Sequence, residues 1–111
     1  MDERRKYLRV NSTFQIQCQT FDKDKIPLGS PETKNISVNG VLLVVPEKRE
    51  IGQKIMMKFN LPGSEDELMA RGKIVWAKSF TSDAIDIGVE FLNIRDADVK
   101  KIKEYILSQS N

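Results

Sequence analysis

The sequence IDIGVEF at residues 85–91 alternates apolar side chains with polar or small ones. Alternation with a period of two is typical of a β-strand that buries one face and exposes the other. The apolar positions of this stretch are β-branched or aromatic, which favours extended backbone. The stretch therefore predicts a strand with one buried face.

The same period continues outward from this stretch through most of the chain. Phe14, Ile16 and Cys18 alternate with three glutamines, so one strand should carry an apolar face and an amide face. Turn residues such as Asn39-Gly40 and Pro62-Gly63 separate segments of this kind. The predicted strands are 12–22, 32–37, 41–45, 55–61, 67–78 and 85–91.

Two segments depart from simple alternation. Val41–Val45 is continuously apolar, so we expect both faces of that strand to be buried. After Asp96, which we predict to be the N-cap, apolar residues from Val99 to Ile106 recur at helical spacing and predict an amphipathic helix over 96–108. Short strands, hairpin turns and one terminal helix indicate a small antiparallel barrel or sandwich, with the helix over one opening or edge.

Length and composition indicate a single soluble globular domain over 1–111. The chain has 111 residues, of which 40% are hydrophobic and 31% are charged, and this suits one packed core. No apolar run approaches the roughly 18 residues of a membrane span, and the charged N-terminus lacks the hydrophobic stretch of a secretory signal. Because the single Cys18 cannot form an internal disulfide, we expect a cytoplasmic protein.

The inventory of side chains argues against an enzyme. The chain has no histidine, which removes the commonest general base and the commonest metal ligand. It also has no cysteines at zinc spacing and no glycine-rich phosphate loop. We interpret the acidic run Glu65–Glu67, which follows a predicted turn, as a solvated loop. A net charge of +2 is too small for bulk nucleic-acid binding. We therefore expect no catalytic residues, no metal and no DNA or RNA partner.

A basic N-terminal segment is the first candidate binding element. Arg4, Arg5, Lys6 and Arg9 all lie within the first nine residues. Arg5 and Arg9 are four positions apart, so they share one side in either a helix or an extended segment. Two convergent guanidinium groups suit phosphates and guanine edges. A basic tail without a ligand is the alternative interpretation.

The second candidate element is Asn35-Ile36-Ser37-Val38-Asn39-Gly40, at the predicted end of a strand. The amide of Asn35 can both accept and donate hydrogen bonds, and the hydroxyl of Ser37 can donate to a phosphate or a base. Gly40 should permit a positive φ and a close backbone approach. An ordinary hairpin turn is the alternative interpretation.

Together and in this order, the two elements resemble the PilZ domain, a family that binds cyclic di-GMP through an RxxxR segment and a later [D/N]xSxxG turn. The resemblance continues through Lys73–Trp76 and Ile87–Phe91 into the terminal helix, so it covers essentially the whole chain. It implies a six-stranded antiparallel β-barrel with a C-terminal α-helix. Residues 1–10 would be a mobile arginine-rich segment, 11–95 the barrel and 96–108 the helix.

The resemblance also implies a cyclic di-GMP site on the outside of the barrel. Arginines of the N-terminal segment would grip phosphates and guanine edges, the polar side chains of the turn would bond the opposite side, and its glycine would let the ligand approach. The ligand-binding residues carried over in this way are Arg4, Arg5, Arg9, Asn35, Ser37 and Gly40.

Four positions refine this expected site. In the family, a basic residue at the position of Arg4 goes with an intercalated pair of ligand molecules, whose four phosphates call for a further cation. Asn35 stands where many members carry Asp, so a charge-assisted hydrogen bond is lost. Trp76 is a possible ligand-lining residue, although a position in the core or at the barrel cap is favoured. Tyr7 should anchor the arginine segment on the barrel.

The function that the resemblance implies is a stand-alone receptor or adaptor in bacteria. Cyclic di-GMP would order the arginine segment, and a partner protein would read the change. The family's usual settings are control of motility, exopolysaccharide or biofilm. One alternative is a PilZ-like interaction module that does not bind nucleotide. Another is a small barrel that binds single-stranded nucleic acid, which would need exposed aromatic side chains along a basic groove.

Overall fold

The alternating segments form seven β-strands and the last segment forms one α-helix in the computed structural model of the chain, which describes residues 9–29, 31–81 and 83–109. The elements are β1 Arg9–Asn11, β2 Gln17–Thr20, β3 Glu32–Ser37, β4 Gly40–Val45, β5 Lys54–Asn60, β6 Glu67–Thr81, β7 Ala84–Ile94 and α1 Asp96–Gln109. The strands predicted from residue 32 onward and the predicted helix are confirmed, with β6 and β7 each about three residues longer at one end than expected.

The first predicted strand, 12–22, contains only β2 Gln17–Thr20, and β1 Arg9–Asn11 is a further strand that lies before it in the chain. The hydroxyl of the buried Thr33 accepts a hydrogen bond from the N–H of Phe14 at 3.0 Å and donates one to the carbonyl of Ser12 at 2.6 Å. These side-chain hydrogen bonds replace part of the backbone ladder in the segment between β1 and β2. With β1 added, the six predicted strands become seven. β1 also begins at Arg9, within the expected mobile segment 1–10, while residues 1–8 of that segment lie outside the described residues.

The strands form one antiparallel sheet in the order β1-β3-β4-β7-β6-β5-β2. β1 and β2 stand at opposite ends of this order, yet they belong to one chain segment. Between them, Gln15 bridges to Glu32 of β3, and the N–H of Ile16 donates to the carbonyl of Pro31 at 3.2 Å. The two ends of the sheet therefore meet, as an antiparallel barrel requires, and the predicted fold class is confirmed.

The inward side chains of the sheet share one hydrophobic core, and β4 shows the alternation most clearly. Val41, Leu43 and Val45 are buried, whereas Leu42 and Val44 are half-buried. The prediction that both faces of Val41–Val45 are buried was wrong. The outer face of the sheet is open at this point, and Leu42 lines a cavity there.

The helix α1 packs beside β1 and β3 and buries Ile102 and Ile106. Its N-cap is Arg95 and not the predicted Asp96, because the carbonyl of Arg95 accepts the first helical hydrogen bond, from the N–H of Val99 at 3.0 Å. The hydroxyl groups of Ser12 and Tyr105 lie 2.6 Å apart, which ties the helix to the chain just after β1. Within the described residues, no helix is both long and apolar enough to span a bilayer.

Candidate functional site

The turn between β3 and β4 is shaped by the hydroxyl of Ser37. Its oxygen accepts hydrogen bonds from the N–H of Asn39 at 3.1 Å and from the N–H of Gly40 at 3.2 Å. Bonds of this kind to the backbone two and three residues ahead stabilise a tight turn. The hydroxyl oxygen lies 3.4 Å from the carbonyl oxygen of Gly40, to which it donates. This contact is long for a hydrogen bond between two oxygens, so the hydroxyl remains able to donate to a ligand.

Gly40 allows β4 and β7 to approach each other closely. A Cβ at this position would overlap the carbonyl oxygen of Val89. Among the described residues, the glycines with positive φ are Gly29, Gly52 and Gly63. The predicted positive φ of Gly40 was therefore wrong, and the close approach that this glycine permits in the structure is to a neighbouring strand.

Pairing of β1 with β3 places Arg9 beside the turn. Arg9 lies directly opposite Ser37, and Asn11 lies opposite Asn35. Side chains that face each other in an antiparallel pair have Cβ atoms about 4.5–5.5 Å apart. The last arginine of the N-terminal element therefore shares one surface with the serine of the turn. Arg4, Arg5 and Tyr7 lie outside the described residues.

Trp76 lies on the outer face of the sheet and is 43% exposed. The favoured interpretation, a tryptophan in the core or at the barrel cap, was wrong. The register of β6 against β7 shifts between Ile74 and Trp76. This irregularity sends the tryptophan outward, although simple alternation from the buried Ile74 would send it inward. The indole rests on Gly88, where an added Cβ would overlap the indole nitrogen.

One shallow cavity on the outer face brings both sequence elements together. Its volume is about 160 Å³, below the roughly 300–1,000 Å³ of typical ligand pockets, so the described residues alone do not enclose a ligand of ordinary size. The predicted residues that line it are Arg9, Asn35, Ser37, Gly40 and Trp76.

The cavity lining also includes residues that sequence reasoning missed, among them Leu42, Gly88 and Glu90. Leu42 could not be assigned to the outer face, because its neighbours in the sequence are also apolar and the pattern does not distinguish the two faces. Gly88 and Glu90 occupy the outward positions of the alternating stretch 85–91, so the period of that stretch could have placed both on this face. Glu90, which lies opposite Gly40 in the sheet, brings a negative charge to the rim.

The cavity combines a guanidinium group, an amide, a hydroxyl and an exposed aromatic plane. Guanidinium groups bind phosphates and base edges through paired hydrogen bonds. An exposed indole is a stacking surface for a flat ring. The arrangement therefore suits a compact ligand that carries both anionic groups and aromatic rings.

Comparisons with known proteins agree on the family and the fold. The family profile described as PilZ domain matches residues 3–108. The structure of the Bacillus subtilis inhibitor of motility (MotI/DgrA) is similar, with a TM-score of 0.81 and 18% identity over 96% of this chain and 51% of that one. This chain therefore spans about half the length of that protein. A search of curated proteins gave no significant match.

Two further solved structures share the fold. The PilZ domain with c-di-GMP of YcgR from Escherichia coli has a TM-score of 0.71 and 15% identity, over 96% of this chain and 91% of that one. The PilZ domain of CeSA from a cellulose-synthesizing bacterium has a TM-score of 0.60 and 15% identity, over 94% and 99% of the two chains. At such low identity the likeness concerns the fold alone.

Proposed function

The chain belongs to the PilZ domain family, and we propose that it is a receptor for cyclic di-GMP that changes conformation on binding and signals to a partner protein. The observation that carries the proposal is the convergence of Arg9, Asn35, Ser37 and Trp76 on one outer cavity. These residues come from three strands, β1, β3 and β6. Neither a basic tail nor an ordinary hairpin turn requires such convergence, so a shared ligand explains it better.

Each described residue has a role that follows from its chemistry. Arg9 grips a phosphate or the O6 and N7 edge of a guanine. Asn35 forms hydrogen bonds to the base or the ribose-phosphate from the opposite side. The hydroxyl of Ser37 donates a hydrogen bond to the ligand. The indole of Trp76 offers a plane on which a guanine stacks. Gly40 holds the turn close to β7, so that these groups share one surface.

The proposal assigns the second wall of the site to Arg4 and Arg5. The small cavity supports this assignment, since the described residues alone do not enclose a dinucleotide. Two intercalated ligand molecules bring four phosphate charges, and Arg4, Arg5 and Arg9 would together offset most of them. We therefore propose two molecules of cyclic di-GMP per chain.

The proposed setting is the control of motility, exopolysaccharide or biofilm in the bacterial cytoplasm. The printed description of one structural neighbour, the inhibitor of motility, supports motility among these. No catalytic step is part of the proposal, because a receptor of this kind acts through binding and release.

Calorimetric titration with cyclic di-GMP, together with fluorescence on the same samples, tests the proposal. We expect saturable heat at micromolar ligand and two ligands per chain. Trp76 is the one tryptophan of the sequence, so its emission should change as a base stacks on it. Arg9→Ala should weaken binding by about 10- to 150-fold, since a hydrogen bond to a charged group is worth roughly 1.5–3 kcal/mol.

Lys103→Ala is the matched control, because it removes an exposed cation of α1 that does not line the cavity. It should leave affinity and stoichiometry unchanged. If both variants weaken binding equally, the affinity depends on the net charge of the protein, and the assignment of the site is wrong. If no heat is observed at micromolar ligand, the proposal is wrong. The function is then that of a PilZ-like interaction module that does not bind nucleotide.

A further inference from the structure

The outer face of β5 and β6 carries methionines and cations in a checkerboard. Met56 lies directly opposite Arg71, and Lys58 lies directly opposite Met69. The chain neighbours of Met56 and Lys58 on β5, and of Met69 and Arg71 on β6, are buried, so the four side chains face outward. Met69 is 41% exposed. We call these four residues the Met–cation face.

A cavity of about 470 Å³ lies over this face, with a mostly apolar lining. Met56, Met69 and Arg71 line it, and Glu67 is the one acidic residue of its lining within the described part of the chain. The guanidinium carbon of Arg71 lies 4.8 Å from the ring centroid of Phe21. This contact holds the cation in place beside the cavity, so less freedom is lost when the cation binds a partner.

The residue types of this face fit a protein partner. Methionine, arginine and aromatic residues are enriched in protein–protein interfaces, and flexible thioethers adapt to the side chains of a partner. Lys54 and Lys73 extend the positive charge along the same side of β5 and β6, opposite each other in the sheet. This charge selects an acidic partner and accelerates its association. A nucleic acid would call for exposed aromatic planes, where this face offers thioethers.

We propose that the Met–cation face docks an acidic amphipathic helix of a protein partner. An apolar side chain of that helix enters the cavity between Met56 and Met69, and carboxylates on either side of it pair with Lys58 and Arg71. The proposal does not depend on cyclic di-GMP. Arg71 and Trp76 are five positions apart along β6, about 16 Å at roughly 3.3 Å per residue. The two surfaces are therefore neighbours on one strand.

The test uses a synthetic peptide and methionine methyl groups observed by NMR in the full chain. The probe is a blocked helical peptide of about 14 residues, or roughly four turns, with leucines along one side and glutamates flanking them. The comparison peptide carries Gln in place of each Glu. The methyl signals of Met56 and Met69 should shift and saturate, whereas that of Met57, buried in the core, should not move. The Glu peptide should bind about tenfold tighter than the Gln peptide, the difference that about 1.4 kcal/mol produces.

Two matched double variants locate the binding surface. Met69→Ser with Arg71→Gln should weaken binding of the Glu peptide by about tenfold or more. Leu107→Ser with Lys103→Gln makes the same kinds of change on α1, where Leu107 is also exposed, and should leave binding unchanged. If loss of the Phe21 contact unfolds the first variant, Lys58→Gln takes the place of Arg71→Gln.

Several outcomes would overturn the proposal. If the two peptides bind equally well, charge does not contribute to recognition. If the two double variants lose equal affinity for the Glu peptide, the Met–cation face is not the binding surface. Anionic lipid vesicles and poly(U) RNA are the competing ligands. If either binds more tightly than the Glu peptide and loses affinity in the Met69 and Arg71 variant, the partner is a membrane or a nucleic acid and not a protein.

Discussion

Gly88 and Gly40 show how the same added methyl group has different effects at two residues of one site. A Cβ on Gly88 would overlap the indole of Trp76, a side chain that can rotate away. A Cβ on Gly40 would overlap the backbone carbonyl of Val89, which the pairing of β4 with β7 holds in place. We therefore expect Gly88→Ala to displace the indole plane and change the emission of Trp76. The affinity for cyclic di-GMP should fall by about 5- to 150-fold, since stacking on an aromatic is worth roughly 1–3 kcal/mol per base.

Gly40→Ala is the comparison, and its effect should appear in stability. Forcing the strands apart should lower the free energy of unfolding by about 1–3 kcal/mol, measured by denaturant titration, whereas Gly88→Ala should change it by less than about 1 kcal/mol. If Gly88→Ala acts through the indole, combining it with Trp76→Ala should add no further loss of affinity. Additive losses would show that Gly88 contributes to the site in another way.

Among the elements, α1 is coupled to the chain just after β1 through a polar contact. The hydroxyl groups of Ser12 and Tyr105 are 2.6 Å apart and part-buried, and Ser12 follows β1, the strand that carries Arg9. Tyr105→Phe removes the hydrogen bond and keeps the ring, so we expect a loss of about 0.5–1.5 kcal/mol in the free energy of unfolding. Hydrogen exchange at the amides of β1 should become faster in the same variant.

Ser12→Ala removes the same bond from the other side and should give the same two results. The double variant should lose little more than either single variant, because both changes delete one interaction. Full additivity, or unchanged exchange in β1, would show that the contact does not connect the helix to the strand.

The elements also show where sequence patterns suffice and where they fail. Apolar patterning located each strand from β3 onward, through a continuous apolar run in β4 and through alternation in the long strands that follow it, because the inward side chains of those strands share one core. The pattern failed where the ladder itself is irregular. The hydroxyl of Thr33 bonds to the backbone of Ser12 and Phe14, where the first predicted strand does not form, and the register shift before Trp76 turns that residue outward. Neither a side-chain hydrogen bond nor a bulge leaves a periodic signal.

The same limit applies to the site. Arg9, Asn35, Ser37 and Gly40 were predicted from two motifs, and the structure brings these four residues to one cavity. The partners Gly88 and Leu42 depend on which strands are neighbours across the sheet. That order, β3-β4-β7-β6 at this face, is a property of the fold and cannot be derived from either motif alone.

At the scale of the whole molecule, the ionisation and reactivity of the Cys18 thiol measure the stability of the closed sheet. It lies in β2, opposite Met57 of β5, and burial raises the pKa of its thiol from 9.0 to about 12. Below pH 9 the thiol is protonated in both the folded and the unfolded chain, so its contribution to stability is intact. Between pH 9 and about 12 only the unfolded chain ionises, and the free energy of unfolding should fall by about 1.4 kcal/mol per pH unit from this group.

Two measurements check this expectation for Cys18. Because the thiolate is the reactive form, alkylation by iodoacetamide at pH 8 should be slow in the folded protein and should accelerate with denaturant in step with global unfolding. Cys18→Ala should lower stability at neutral pH by a fixed amount, since it leaves a small cavity, and should unfold with a shallower dependence on pH above 9. Rapid alkylation without denaturant would mean that β2 separates from β5 while the remaining strands stay paired, so that the barrel opens at this seam before it unfolds.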